Sequence, residues 1–190
     1  SAPTGAVLEN LKKIIAPQHI NNLGYLKALY GALDDAFKEK TATPGFGSEK
    51  QIWYDTFGGL QDGLKTVPIK RADFNNDLNT FIAARAQNTE RIKAAITGQV
   101  RTDLLTIIGS QTPDEGHLRA LYSAFDQVFS GNKIEKQIQF DTFGNLIAAE
   151  VDVTVADASV SAYIRRRALE TTSAPTGAVL ENLKKIIAPQ

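Results

Sequence analysis

Histidine and cysteine are the residues that most often bind metals or act as nucleophiles and bases, and this sequence has few of them. It contains two histidines, His19 and His117, and no cysteine. No acidic residue stands at the spacing that would make either histidine part of a metal site. The lack of cysteine excludes thiol catalysis, disulfides and Cys-ligated metals. We therefore interpret both histidines as surface or helix-end residues and predict no metal and no cofactor.

The tetrapeptide Asp-Thr-Phe-Gly occurs twice, at residues 55–58 and 141–144. Its letters are similar to the metal-binding turn of protein kinases, but the glycine-rich loop and the catalytic-loop signature of that family are absent. We interpret the repeated tetrapeptide as structural. The aspartate would bind a neighbouring cation or backbone amide, the phenylalanine would lie in the core, and the glycine would allow another helix to approach.

Three polar positions recur on one predicted helix. Tyr30 corresponds to Tyr122, and the other two pairs are Lys27 with Arg119 and Asp34 with Asp126. They could form a duplicated ligand site or a structural network. We favour the network, because a tyrosine ring commonly lies in the core with its hydroxyl bonded at the edge.

Two further features indicate surfaces rather than catalysis. Trp53 is replaced by Gln139 at the matching position, which indicates a peripheral tryptophan on a contact surface or groove wall. The basic run Arg165 to Arg167 is typical of a solvated helix face. Because no nucleophile, base and orienting group can be assembled from these residues, we predict that the protein is not an enzyme.

The sequence repeats itself at two levels. Residues 173–190 copy residues 1–18 letter for letter, so Ser173 stands 172 positions after Ser1 and opens a second period. Within one period, three blocks match in order, and we expect two diverged halves, half A (residues 1–96) and half B (residues 97–172), that form one compact unit. The matching blocks are residues 4–16 with 97–109, 26–37 with 118–129 (seven of twelve identical), and 49–60 with 135–146 (nine of twelve identical).

Composition is that of an ordinary globular protein. The hydrophobic fraction is 43%, and 21 basic residues balance 21 acidic ones, so no net field favours nucleic acid. No apolar run approaches the roughly 20 residues of a membrane span. We therefore expect that this chain does not bind nucleic acid and does not span a membrane.

The spacing of apolar residues predicts an all-α bundle with about four short helices in each half. The first helix covers about Gly5 to Ala16 and is stopped by Pro17. The second covers Leu26 to Phe37, and its half-B counterpart opens with Thr112 as N-cap and Pro113 in the first turn.

The last two helices of each half are predicted less uniformly. Residues 48–51 resemble a capping box, and an apolar stripe of Trp53, Phe57, Leu60 and Leu64 follows, so a third helix is predicted there. Asp73 is the predicted cap of a fourth helix through Phe81 and Arg85. Its counterpart at residues 151–160 is β-branched and alternating. We favour a helix because of the repeat, while a short strand stays possible.

These features predict a non-catalytic structural or adhesive module of a longer tandem array, located outside the cell or at its surface. Its partners would be neighbouring identical repeats, with possible head-to-tail self-association, and the tail would dock as an extra helix on its own chain or on a neighbouring molecule. A helical carrier of a small hydrophobic ligand, as in lipid-binding polyproteins, is the alternative function.

An engineered duplication is the alternative origin, although Glu170 to Thr172 is hardly the flexible linker a designer would insert. The predicted interaction or ligand surface comprises Trp53, Tyr30, Tyr122, Val179, Leu180, Leu183, Ile186 and Ile187.

Overall fold

The protein is mainly helical, with two small antiparallel strand pairs. The computed structural model describes residues 2–42, 48–54, 60–69, 77–109, 113–140, 146–172 and 177–187. In half A the elements are α1 (Gly5–Ile14), a 3₁₀ turn (Pro17–His19), α2 (Leu23–Ala42), β1 (Ser48–Tyr54), β2 (Leu60–Pro68) and α3 (Leu78–Ala95). They are followed by α4 (Gly98–Ile108), α5 (Glu115–Ser130), β3 (Ile134–Phe140), β4 (Leu146–Thr154), α6 (Val160–Thr172) and α7 (Gly177–Ile187).

In each half the first helix packs most extensively on the last helix of that same half. In half A, α1 lies on α3 and also contacts α2. In half B, α4 lies on α6 and also contacts α5. The two halves meet mainly where α5 contacts β1 and α3. The first helix of half B therefore belongs to half B and does not pack extensively on half A.

The interior consists of two hydrophobic clusters that share one helix. Near its start, α3 contributes Phe81 and Ile82 to a cluster with Leu11 of α1. Near its end, the same helix contributes Ile92 to the cluster of half B, and Ile96, directly after the helix, joins the same cluster. Because α3 takes part in both clusters, it joins the two halves through side-chain packing as well as through the chain.

The predicted third helix is wrong in both halves, where the structure has a β-hairpin. Ser48 pairs with Pro68 in half A and Ile134 pairs with Thr154 in half B, so the hairpins share the same outer register. The alternation at residues 151–154 belongs to β4, so the short strand considered there is correct and the favoured helix is wrong for those residues. An apolar stripe of helical spacing therefore includes residues that belong to two different strands.

The helix starts also differ in detail from the sequence-based prediction. Asp114, and not Thr112, caps α5, because its carboxylate accepts a hydrogen bond of 2.6 Å from the backbone N–H of His117. Asp77 caps α3 by accepting a 2.8 Å bond from the N–H of Thr80. The predicted caps Asp73 and Thr112 lie outside the described residues.

Backbone conformation explains why a Thr-Gly pair opens each half. Thr4 and Thr97 are extended N-cap residues, and the glycines that follow them, Gly5 and Gly98, have φ values of +56° and +51°. Residues with a Cβ rarely adopt that region, whereas glycine enters it freely. No atom lies within 4 Å of a Cβ built on Gly98, so the requirement is for backbone conformation and not for space.

We expect Gly98→Ala to lower the free energy of unfolding by about 1 kcal/mol, since alanine must occupy the left-handed region. Thermal unfolding should show this as a fall of roughly 2–4 °C in Tm. Gly31→Ala is the matched control. Gly31 lies inside α2 and its Cβ would meet nothing within 4 Å, so that change should stabilise by about 0.5 kcal/mol. Equal effects at the two glycines would contradict the conformational argument.

Candidate functional site

The two copies of the repeated 18-residue segment form the same helix in two different surroundings. Gly5 opens α1 and Gly177 opens α7, with nearly equal φ values of +56° and +57°. Both helices continue through the residues VLENLKKI. The local sequence therefore fixes the helix and the way it begins, and only the neighbouring residues differ between the copies.

The first copy rests on an apolar surface formed by α2 and α3. We define this α1-binding surface as Leu26, Leu33, Phe81 and Ile82. Leu11 is 0% exposed and belongs to one hydrophobic cluster with the surface. Other aliphatic side chains of α1 are partly buried against the same cluster, including Val7 and Leu8. Burying one leucine contributes about 2 kcal/mol, so this contact is a main source of stability for α1.

Two cationic side chains donate hydrogen bonds to main-chain carbonyls at the carboxyl end of α1. The Nζ of Lys93 donates a 2.8 Å hydrogen bond to the carbonyl of Lys13, and the Arg119 guanidinium donates a 3.4 Å bond to the carbonyl of Ile14. The last carbonyls of a helix have no partner inside the helix and carry its negative dipole end. Lys93 lies on α3 and Arg119 on α5, so both halves of the protein hold this one helix.

The second copy lacks such a surface in the described part of the chain. Val179 is 60% exposed, and Leu180 and Leu183 are only half-buried. Within the described residues, α7 packs extensively on no other element and contributes to neither hydrophobic cluster. The expected helix is confirmed, but its docking on its own chain is not found among these residues. Ile186 and Ile187 end the helix, and their side chains lie outside the description.

The other residues of the predicted surface are not brought together. Tyr30 is half-buried against the cluster of half A, whereas Tyr122 is buried in the cluster of half B. Trp53 lies in β1, and its side chain is outside the description. Both copies of Asp-Thr-Phe-Gly, residues 55–58 and 141–144, also lie outside the described residues.

The recurring polar positions take part in separate interactions. Asp126 pairs with Arg91 at 2.7 Å, which links α5 of half B to α3 of half A. Its counterpart Asp34 pairs with Lys38 at 2.6 Å within α2. Burial, together with the charge of Asp126, raises the pKa of Tyr122. In half B, Tyr122 and Asp126 thus lie near each other, whereas the described contacts of half A show Asp34 paired with Lys38 on the same helix.

The histidines and the arginine run make the following contacts among the described residues. The His19 ring stacks on Tyr25 with ring centroids 3.7 Å apart, and the backbone N–H of His117 bonds the cap of α5. The arginine run is a solvated face only in part, since Arg165 is exposed. Arg165 pairs with buried Asp103 at 2.8 Å, and Arg167 is itself buried.

A buried carboxylate that the sequence analysis missed organises the end of half B. Glu135 on β3 is 2% exposed and accepts a 2.6 Å hydrogen bond from the Tyr163 hydroxyl. Arg166 lies 3.3 Å from the same carboxylate, and Gln137 donates to it at 2.6 Å. Burial first, and then this hydrogen bond and the charge of Glu135, raise the pKa of Tyr163. The sequence contained a signal for this contact, because Glu135 and Gln137 are two residues apart and such residues share one face of a strand.

A cleft of about 460 Å³ lies between the halves. Ile14, Ile92 and Ala120 give it an apolar part, while Arg85 and Arg119 provide charge. Burial lowers the pKa of both guanidinium groups. Arg85 pairs with Glu49, but the Nε of Arg119 is buried and has no hydrogen-bond partner among the described residues.

The described ranges contain neither of two further kinds of site. Among those residues, no group of histidine and acidic side chains is arranged to hold a metal ion. No helix there is both long enough and apolar enough to cross a membrane.

Comparison with known proteins gave no match to a family model, to a curated protein or to a solved structure.

The Glu135 cluster predicts a loss of stability at alkaline pH. Below pH 10, the ordinary pKa of tyrosine, Tyr163 is protonated in both the folded and unfolded chain, so its contribution is fully present. Above pH 10 the unfolded chain releases the proton first, and the free energy of unfolding falls by about 1.4 kcal/mol per pH unit. Urea unfolding at pH 8, 10 and 11 measures this slope.

The variant Tyr163→Phe cannot release this proton, so its free energy of unfolding should fall less than that of the wild type between pH 10 and 11, by about 1 kcal/mol. Tyr25→Phe, which removes a hydroxyl from a ring that is half exposed, is the matched control for the loss of one tyrosine. If Tyr163→Phe lost as much stability as the wild type over this range, Tyr163 would not be the buried titrating group.

Proposed function

We propose that this chain is a non-catalytic structural unit of a tandem array, built from an internally duplicated pair of halves, in which successive units are joined by helix–helix contacts. The observation that carries the proposal is α7, whose residues repeat those of α1 but which, in the described part of the chain, packs extensively on no other element and leaves Val179 exposed. An extracellular or cell-surface location fits such an array.

The internal duplication is supported by the order of elements. Both halves run helix, helix, hairpin, helix, and in both the first helix packs on the last. The last helices also match in sequence, since residues 81–86 read FIAARA and residues 163–168 read YIRRRA. On this pattern α7 is a first helix, and the last helix that it would pack on belongs to the next unit.

The joint between units would repeat the joint between the halves. Between the halves, α5 contacts α3 and β1. In the array, α2 of the next unit would contact α6 and β3 in the same way. Exposed apolar side chains occur at both ends of such a joint, at Leu23 and Tyr25 near the start of α2 and at Leu169 near the end of α6.

A two-unit chain, in which residues 1–172 precede the whole sequence 1–190, tests this proposal. Nearest-neighbour contacts should raise its urea midpoint above that of the single unit, and a joint transition should about double the m value. The matched control carries a flexible Gly/Ser insert after Thr172 of the first unit, which keeps both units and weakens their contact. Equal midpoints and m values for all three chains would show independent units and contradict the proposed contacts.

A second candidate function, carriage of a small hydrophobic acid, is favoured by the cleft between the halves. Its volume of about 460 Å³ lies within the usual range of ligand pockets. The unpaired Nε of Arg119 is suited to bind a carboxylate, and the apolar part to bind a short chain.

Uptake of a fluorescent fatty-acid probe measures carriage directly. We expect binding by the wild-type protein and about tenfold weaker binding by Arg119→Gln, because one charge-assisted hydrogen bond is lost. Arg91→Gln is the control, since Arg91 does not line the cleft. A probe that is not taken up, or that binds both variants equally, would eliminate the carrier function.

A further inference from the structure

We propose that α7 of one molecule can occupy the α1-binding surface of a second copy of this chain when α1 leaves it, so that molecules can join head to tail by exchange of identical helices. The proposal rests on the proposed role of residues 173–190 as the opening of another unit, and it names the partner of that segment. It depends on the described contacts of α1 and on the sequence identity of the two copies.

The α1-binding surface recognises features that α7 also has. It holds Leu11, and Leu183 stands 172 positions later in the identical context. The cations beside it, Lys93 and Arg119, bind main-chain carbonyls and therefore require only a helix end at that position. A helix of the same sequence could therefore make these contacts wherever α1 has left the surface.

The exposed state of α7 supplies the driving force. Val179 is 60% exposed, whereas its equivalent Val7 is packed against the cluster of half A. Isolated helices of about this length are marginal in water and gain most of their stability from packing of an apolar face. A surface already shaped for this sequence is the one that would bury it best.

The second copy is the expected partner because α7 leaves from the other half. It follows α6, which packs on α4 and α5, whereas α1 packs on α2 and α3. Four residues, 173–176, separate α6 from α7. In the intact chain α1 already occupies its surface, and its covalent attachment favours it over α7 from another molecule. Exchange should become visible when α1 is weakened.

Matched substitutions in the full-length chain test the exchange. Leu11→Asp places a charge at the buried anchor of α1 and leaves α7 intact. We expect this variant to associate, with an average mass in sedimentation or light scattering that rises at least about twofold with concentration, and with a urea midpoint that rises in parallel. Leu183→Asp, the same change in the exposed copy, should remain monomeric with the wild-type midpoint.

The double variant Leu11→Asp/Leu183→Asp shows how stable the protein is when neither α1 nor α7 can pack on the α1-binding surface. It should stay monomeric at every concentration and unfold at lower urea than Leu11→Asp does when concentrated. If Leu11→Asp matched the double variant at all concentrations, α7 could not occupy the surface and the exchange would be wrong. If Leu11→Asp kept wild-type stability as a monomer, the exchange would occur within one molecule, and the second copy would be wrong.

Failure of the exchange is distinguishable from failure of the array. A two-unit chain that is stabilised by its neighbour, together with a Leu11→Asp variant that never associates, would support the array and overturn the exchange. A Leu11→Asp variant that associates, together with a two-unit chain no more stable than one unit, would support the exchange and overturn contacts between consecutive units.

Discussion

An amphipathic helix of ten or eleven residues has little stability of its own in water, and the first helices of both halves are of this length. They depend on the apolar surface that the last helix of the same half presents. The hairpin between the second and last helices brings that surface back to the first helix. This pairing of first and last helices accounts for the two buried clusters of the described residues and for the lack of extensive packing around α7 there.

The two halves differ in the side chains that contact their corresponding glutamates, Glu49 and Glu135. In half A, Glu49 pairs with Arg85 at the edge of the cleft. In half B, the equivalent Glu135 is enclosed by Tyr163, Arg166 and Gln137. A buried carboxylate is tolerated only when its oxygens are satisfied. Glu135 therefore ties β3 to α6 in half B, while in half A Glu49 accepts a hydrogen bond from Gln51 and pairs with Arg85 beside the cleft.

Much of the helical fold could be predicted from the sequence, because the first two helices of each half carry clear caps, stops and apolar stripes. The hairpins could not be recognised from apolar spacing alone, since Trp53, Leu60 and Leu64 imitate a helical stripe while they belong to two strands. The alternation at residues 151–154 was the better guide. The surroundings of α7 could not be predicted from its own residues, because an identical sequence at α1 is buried. The cleft was missed because Arg85 and Arg119 are 34 positions apart in the chain and meet only through packing.

The helix shared by the two clusters sets how stiffly the halves are joined. At 18 residues α3 is a rod of about 27 Å, with Phe81 fixed at one end and Ile92 and Ile96 at the other. Twisting one half against the other would bend that rod or expose those side chains to water. α3 therefore couples the two halves through buried side chains at both of its ends.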